Sequence, residues 1–363
     1  MEKAYGDIDL TLLSRLSDVH AIGGCEKYVS RIVKDYMTEF CDDISYDNSG
    51  SLICLKKGKE DGPKIMISSH MDEVGFIVRH IDEQGFIFLM PIGGWWGHVM
   101  PSQKMVITTS TDEQIIGIIG SRAPHGMNEK DRNTVINPLD LYLDLGVSND
   151  LEVSELGIEI GDMVTPATEF FVMNNPNYLC GKAWDDRICV GVLIEVARAL
   201  KETHTDANVY FVASTQEEVG IRGARTATHT IKPDIAIALD VTTSLDTPLD
   251  KGNVALGNGV ILSFLDSLTM AHKGLYDVMK TVAVDNKLDV NYDFMVDGGT
   301  DACNIHKAME GVPTMTLSIP TRYMHSPTLL IHRKDYSQTI TLLSEFCSKL
   351  DNEMLIGIKE SII

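Results

Sequence analysis

The sequence predicts an α/β fold: a mostly parallel sheet sandwiched by helices and interrupted by an inserted small β-barrel-like domain. Three observations carry that expectation. From residue 172 onward, apolar strand-length runs alternate with segments of helical period, the pattern of a parallel sheet covered on both faces. A shorter stretch of the same kind precedes residue 74. Between them, short strands and tight turns dominate, with almost no helical period. The expected division is therefore a discontinuous α/β domain, 1–73 and 172–363, with 74–171 inserted.

The elements follow in order. Residues 26–40 place Val29, Ile32, Val33, Tyr36, Met37 and Phe40 on one stripe of a helix. The runs SLICLK and KIMISS flank the turn-rich GKEDGP and predict a hairpin, the second run ending at His70-Met71-Asp72. In the insertion, GFIVRHI and FIFLMPI flank DEQG, KMVITT and QIIGIIG flank STDE, and only NDLEVSEL reads as helix. A helix over 188–200, a strand over 209–214, a helix over 219–229 and a strand over 234–240 follow. After a helix near 274–285 come the strands VNYDFMV and 314–319. A last helix starts near Lys334, with Tyr336, Ile340, Leu343, Cys347 and Leu350 on one face.

Composition narrows the function. The 363 residues carry 31 Lys and Arg against 52 Asp and Glu, a formal charge of -21. Such a surface repels phosphate backbones and anionic lipid, so neither nucleic acid nor membrane is an expected partner. No apolar run reaches the ~20 residues of a membrane span. The start, MEKAYGDIDL, lacks the basic-then-apolar order of a secretory signal. The seven cysteines, at 25, 41, 54, 180, 189, 303 and 347, are scattered, and no C-x-x-C pair occurs. They read as reduced thiols, and the expected compartment is the cytoplasm.

Sites in such sheets form outside the carboxyl ends of the strands, and there the acids and imidazoles collect. KIMISS ends in His70 and Asp72, VYFVAS is followed by Glu217-Glu218, DIAIAL by Asp240, and TMTLSI by a loop that reaches His325. Asp185-Asp186 lies just ahead of the 188–200 helix. Each has an ordinary structural role by itself, as an N-cap, a helix start or a turn residue. Together they do not: carboxylates about 5 Å apart repel by roughly 3 kcal/mol per pair at an effective dielectric near 20. Two imidazoles and three carboxylates suit zinc and its neighbours, and two divalent ions balance three carboxylates and a hydroxide. In His-x-Asp, Asp72 is placed to orient the His70 ring. The Gly-Gly-Trp-Trp-Gly loop (93–97) reads as aromatic anchoring, and Gly298-Gly299-Thr300-Asp301 as a glycine turn entering a helix.

Taken in order, SSHMDEVGF, GKAWDDR, QEEVGIRGA, ALD, GGTDA and RYMHSP closely resemble the dinuclear aminopeptidases of metallopeptidase family 42. That family includes glutamyl, leucyl, lysyl and deblocking enzymes and proteins once labelled cellulase M. The resemblance spans nearly the whole chain; the usual Gly-x-Ser-Gly-x-Glu element stands here as Ile-Gly-Gly-Cys-Glu. It implies a zinc-peptidase-like sheet and two zinc or cobalt ions held by His70, Asp185, Glu218, Asp240 and His325. Asp185 would bridge, with His70 and Asp240 each unique to one ion. It further implies Glu217 as general base, Asp72 as partner of His70, and a cis bond after the bridging Asp. The expected activity is removal of N-terminal residues from short peptides. The expected assembly is six dimers, joined through the inserted domain, in a hollow tetrahedral dodecamer. Arg322, three residues before His325, could attract an acidic substrate side chain.

Three alternatives remain open at the sequence level. A glycosidase would use two carboxylates and no metal, a dinuclear deacylase or carboxypeptidase would share most ligands, and a scaffolding protein would keep only a vestigial site. Chelation separates the first from the peptidase, metal analysis the last. The preferred N-terminal residue is not legible.

Overall fold

The computed structural model describes residues 8–362. The reading of the first residues as lacking a secretory signal falls partly on 1–7, outside the described residues. Helix α1 (Leu10–Asp18), which the sequence reading did not foresee, is capped by Asp9, whose carboxylate accepts from the Leu12 N–H at 2.9 Å. Then come α2 (Lys27–Met37), β1 (Asp43–Tyr46), β2 (Leu52–Lys56) and β3 (Lys64–His70).

The inserted region contributes β4 (Gly75–Ile81), β5 (Ile87–Ile92), β6 (Lys104–Thr108), β7 (Gln114–Ile119), a short α3 (Glu129–Arg132), β8 (Tyr142–Asp144), α4 (Asp150–Glu155) and β9 (Met163–Pro166). Its strands close into a barrel in the order β4-β5-β8-β7-β6-β9 around a core that includes Phe76, Leu89, Met105 and Leu143. The runs expected on either side of DEQG and STDE pair antiparallel, as β4–β5 and β6–β7.

The chain then returns through β10 (Phe171–Val172), β11 (Tyr178–Gly181), α5 (Trp184–Leu200), β12 (Asn208–Ser214), α6 (Gly223–Ile231), β13 (Ile235–Thr243), β14 (Val260–Leu265), α7 (Lys273–Asp285) and β15 (Val290–Phe294). It ends with α8 (Ala302–Ile305), β16 (Thr314–Thr321), β17 (Leu329–His332), α9 (Arg333–Lys349) and α10 (Asn352–Glu360). Among these, β10, β11 and β17 form a small separate sheet.

The central sheet runs β1-β2-β12-β3-β13-β16-β14-β15. Its middle strands, β12, β3, β13 and β16, are mutually parallel and nearly all buried, as continuous apolar runs require. One face packs against α5, α7 and α9 through residues such as Leu193, Leu275 and Leu343, and α1 packs on α5 from outside. The other packs against α6 and α8 through Ala227, Ile231 and Ile305.

Two local expectations are corrected. The runs around β2 and β3 are not a hairpin: β12 lies between them, antiparallel to β2 and parallel to β3. The GKEDGP loop crosses the start of β12, with Lys59 N–H donating to the Asp206 carbonyl and Asn208 N–H to that of Pro63. The helix expected from 219 begins at Gly223, because the chain first turns through positive φ at Gln216, Gly220 and Ile221.

Candidate metal centre

The parallel strands deliver their acids and imidazoles to one edge. His70 is the last residue of β3 and pairs in register with Ser214, the last of β12. Asp240 lies inside β13, which continues to Thr243 rather than ending at the Asp. Glu217 and Glu218 occupy the turn after β12, His325 the loop after β16, and Asp185 the distorted first turn of α5, where the Asp185–Asp186 bond is cis.

Asp185 sits between the two histidines. Its Oδ1 is 3.2 Å from His70 Nε2 and its Oδ2 is 3.3 Å from His325 Nε2. Glu218 Oε1 lies 3.5 Å from the same His325 nitrogen. Two groups of potential metal donors, His70–Asp186–Asp240 and His70–Asp185–Glu218, each fall within 4.8 Å. All five expected ligands are thus brought to one place, with His70 and Asp240 near one another and His325 beside Glu218. Asp186 is an additional donor in this geometry; its Oδ2 accepts from Ser69 Oγ at 2.6 Å.

Asp72 does more than face His70. The ring's Nδ1 is 3.0 Å from the Asp72 backbone carbonyl and 3.6 Å from its carboxylate. That carboxylate instead accepts from the N–H groups of Glu217 and Glu218, at 3.0 and 3.1 Å. Glu26, the acid of the Ile-Gly-Gly-Cys-Glu element, accepts from Gln216 N–H at 2.9 Å. Three consecutive amides of the strained turn are therefore held by two buried acids.

The cluster is electrostatically frustrated as bare protein. Burial pushes the Asp186, Asp240 and Glu217 carboxyls well above the ordinary range. Burial, then the Asp185 charge, lifts Glu218 to about 8. Burial alone would lower His325, but Asp185 and Glu218 outweigh it and raise the ring to about 9. Burial would likewise raise Asp185, yet its bonds to the two imidazoles hold it below the usual carboxylate range. Glu218 Oε1 and Asp186 Oδ1 are buried without a hydrogen-bond partner. Divalent cations fit this donor set: bound there, they would satisfy the orphaned oxygens and offset the cost of burying so many carboxylates together.

Sequence reasoning missed the roof of the site. A Cβ on Gly93 (φ +77°) would come within 3.0 Å of Glu218 Oε2, and one on Gly94 within 3.0 Å of His325 Nδ1. The loop is pinned by Trp95, which stacks on Phe76 at 5.1 Å and donates to the Gly75 carbonyl at 2.8 Å. The aromatic anchoring was legible; the glycines' approach to Glu218 and His325 was not. Arg322 is committed elsewhere, with Nε and Nη2 donating to Asp246 at 2.8 and 2.7 Å.

A parallel-centred sheet with an inserted barrel and a histidine–carboxylate cluster at its carboxyl edge defines a zinc-peptidase-like metallohydrolase. The chain belongs to the M42 peptidase family, whose M42 glutamyl aminopeptidase profile matches residues 50–342. It is 33% identical to the lysyl aminopeptidase of Pyrococcus furiosus, over 94% of this chain and 98% of that protein. It is 32% identical to the glutamyl aminopeptidase of Lactococcus lactis, over 95% and 97%. Among solved structures, the TET aminopeptidase of a marine sediment Thaumarchaeota archaeon superposes with TM-score 0.93 at 34% identity, over 96% and 98% of the two chains. The TET1 peptidase of Pyrococcus horikoshii, which can assemble into a tetrahedron or a large octahedral shell, gives 0.85 at 27% identity, over 94% and 99%. The protein is a metal-dependent aminopeptidase. No helix of the described residues is long and apolar enough to cross a membrane.

Proposed function

We propose that the enzyme removes N-terminal residues from short peptides with two divalent ions, zinc or cobalt, and Glu217 as general base. The observation that carries this reading is Asp185, whose two oxygens face two different histidines. In this reading His70, Asp185, Glu218, Asp240 and His325 would hold the ions, with Asp185 lying between the two imidazoles and His70 within 4.8 Å of donor atoms from both Asp240 and Glu218.

When bound, the ions supply Lewis acidity toward a water and the scissile carbonyl. The chain's own residues do the rest. Glu217, its backbone N–H fixed by Asp72, takes a proton from the attacking water and delivers it to the leaving amine. Its carboxyl lines the inner cleft together with Asp185, Glu218 and Asp240, within reach of a water held there. Acidic side chains around the site offer a partner for the substrate's α-ammonium group, which limits cleavage to the first residue. Replacing Glu217 with Gln tests the assignment: metal content should hold while turnover falls about a thousandfold. A fully active variant removes Glu217 from the mechanism.

The inserted region, 74–171, is proposed as the dimerisation domain of a dodecamer. Ile116 and Ile118 stand 62% and 50% exposed on β7, an outward barrel face that is apolar where a solvated one would be polar. Sedimentation of the intact protein checks this, and a mass near one subunit defeats it. The glutamyl and lysyl relatives differ in the residue they remove, so the preference has to come from this chain's own cleft.

A further inference from the structure

Two concavities meet at Thr243, Met324 and His325. The inner one, about 520 Å³, holds Asp185, Glu217, Glu218 and Asp240. The outer one, about 1160 Å³, runs between the Gly94–Gln103 side of the barrel and the loops around 247 and 326. An aminopeptidase binds a single residue on the amino side of the cut and a chain of variable length beyond it. The smaller space beside the catalytic acids therefore suits the first residue, and the larger groove suits the remainder of the peptide.

The remaining lining of the inner cleft is amphipathic. Ile221, Leu245 and Met295 supply apolar surface, and Asp293 and Asp297 supply carboxylates. The Thr242 hydroxyl donates to Asp293 and fixes one of its oxygens. None of the described residues lining this cleft is Lys or Arg. Arg322, the cation nearest in sequence to His325, lines the outer groove instead and is occupied by Asp246. Glu218, whose buried Oε1 has no hydrogen-bond partner, lines the same cleft, so this wall lies directly beside the candidate metal centre.

We propose that the enzyme selects peptides whose first residue has a cationic side chain, Lys or Arg, with its stem along Ile221, Leu245 and Met295 and its charge against Asp293 and Asp297. This rests on the metal-aminopeptidase reading above. The stem of a Lys or Arg covers apolar surface while its head reaches the carboxylates. A glutamyl side chain in the same position meets two like charges, with no Lys or Arg in the lining to pair with it.

The test uses the metal-loaded full-length enzyme and the p-nitroanilides of Lys, Arg, Leu and Glu. The expected order of kcat/KM is Lys and Arg at least about tenfold above Glu, the worth of one charge-assisted contact. Asp297→Asn and Asp293→Asn should each lower the Lys-to-Leu ratio by about tenfold. Because Asp293 is tied to Thr242, the exposed Asp297 keeps the test open if the other variant folds poorly. Raising ionic strength should compress the wild-type Lys-to-Leu ratio, since the charges are partly solvated. In calorimetry, free L-lysine should bind more tightly than free L-glutamate.

Glu cleaved as fast as Lys, or a Lys-to-Leu ratio indifferent to both substitutions, overturns the proposal. If Leu is cleaved without any charge preference, only this inference falls and the aminopeptidase reading stands. If none of the four is cleaved with metal bound, that reading falls and carries this one with it.

Discussion

Asp185 shows how one residue gains a role from its position rather than its chemistry. An aspartate in the first turn of a helix ordinarily caps amides; here each oxygen faces an imidazole at 3.2 or 3.3 Å. Asp72 is the complementary case, an acid whose carboxylate holds the amides of the two glutamates. Replacing Asp72 with Ala removes both acceptors, and kcat should fall 10- to 100-fold, the range typical of residues that orient ligands. Steady-state kinetics beside metal analysis will separate that loss from loss of the ions. Gly94→Ala would place a methyl group 3.0 Å from His325. Activity should drop by about a hundredfold as the ring is displaced, with little change in the thermal midpoint.

Among elements, the segment after β3, the start of α5 and the chain after α1 are locked by a buried ionic cluster. Lys182 Nζ donates to Glu73 Oε1 at 2.6 Å and to the Val19 carbonyl at 2.8 Å. Arg187 spends its guanidinium on the carbonyls of Leu16, Val19, Ala21 and Met71, with Glu73 at 3.4 Å. These contacts fix where His70, Asp72 and Asp185 stand relative to one another. Replacing Arg187 with Met leaves four carbonyls and a buried carboxylate short of donors. Urea denaturation should show a loss of about 3–5 kcal/mol, and a shift under 1 kcal/mol would contradict the cluster's structural role.

At the scale of the molecule, the barrel and the sheet domain meet at His20, whose Nδ1 is 2.6 Å from Thr165 Oγ1 on β9. Burial, then the charges of Lys182 and Arg187, lowers this imidazole to about 3 from its ordinary 6.5. Between those values the unfolded chain binds a proton that the folded one refuses. This contribution to stability is whole above pH 6.5 and is lost as pH falls toward 3, by about 1.4 kcal/mol per pH unit. His20→Gln should flatten that part of the stability–pH curve; an unchanged slope would mean His20 is protonated in the fold. Chelation acts on the same scale. Stripping the ions should abolish activity and lower the melting temperature, and zinc or cobalt should restore both.

The fold class was legible because strands buried on both faces must read as apolar runs, and the barrel because hairpin turns punctuate short strands. His70, Glu217, Glu218, Asp240 and His325 stood out as candidates because acids and imidazoles follow those apolar runs, whereas their division into ligands and base came from the family resemblance. The β2–β3 pairing was misread because adjacency in the chain favours a hairpin, whereas the apolar β3 needs neighbours on both sides and takes β12 and β13. Residues 219–222 were read as helix because local pattern carries no record of the distant acids, Glu26 and Asp72, that hold the turn just before them.

What the sequence alone determined, then, is the set of chemical groups, the kind of element each ends, and the family they resemble. Those depend on local pattern and residue type. What only the tertiary structure decided is the partnering: the histidines Asp185 faces, the salt bridge that occupies Arg322, the glycines that roof the ligands, and the acids that wall the inner cleft. Those depend on distances between segments far apart in the chain, set by how the sheet and barrel pack and not by any local run of residues.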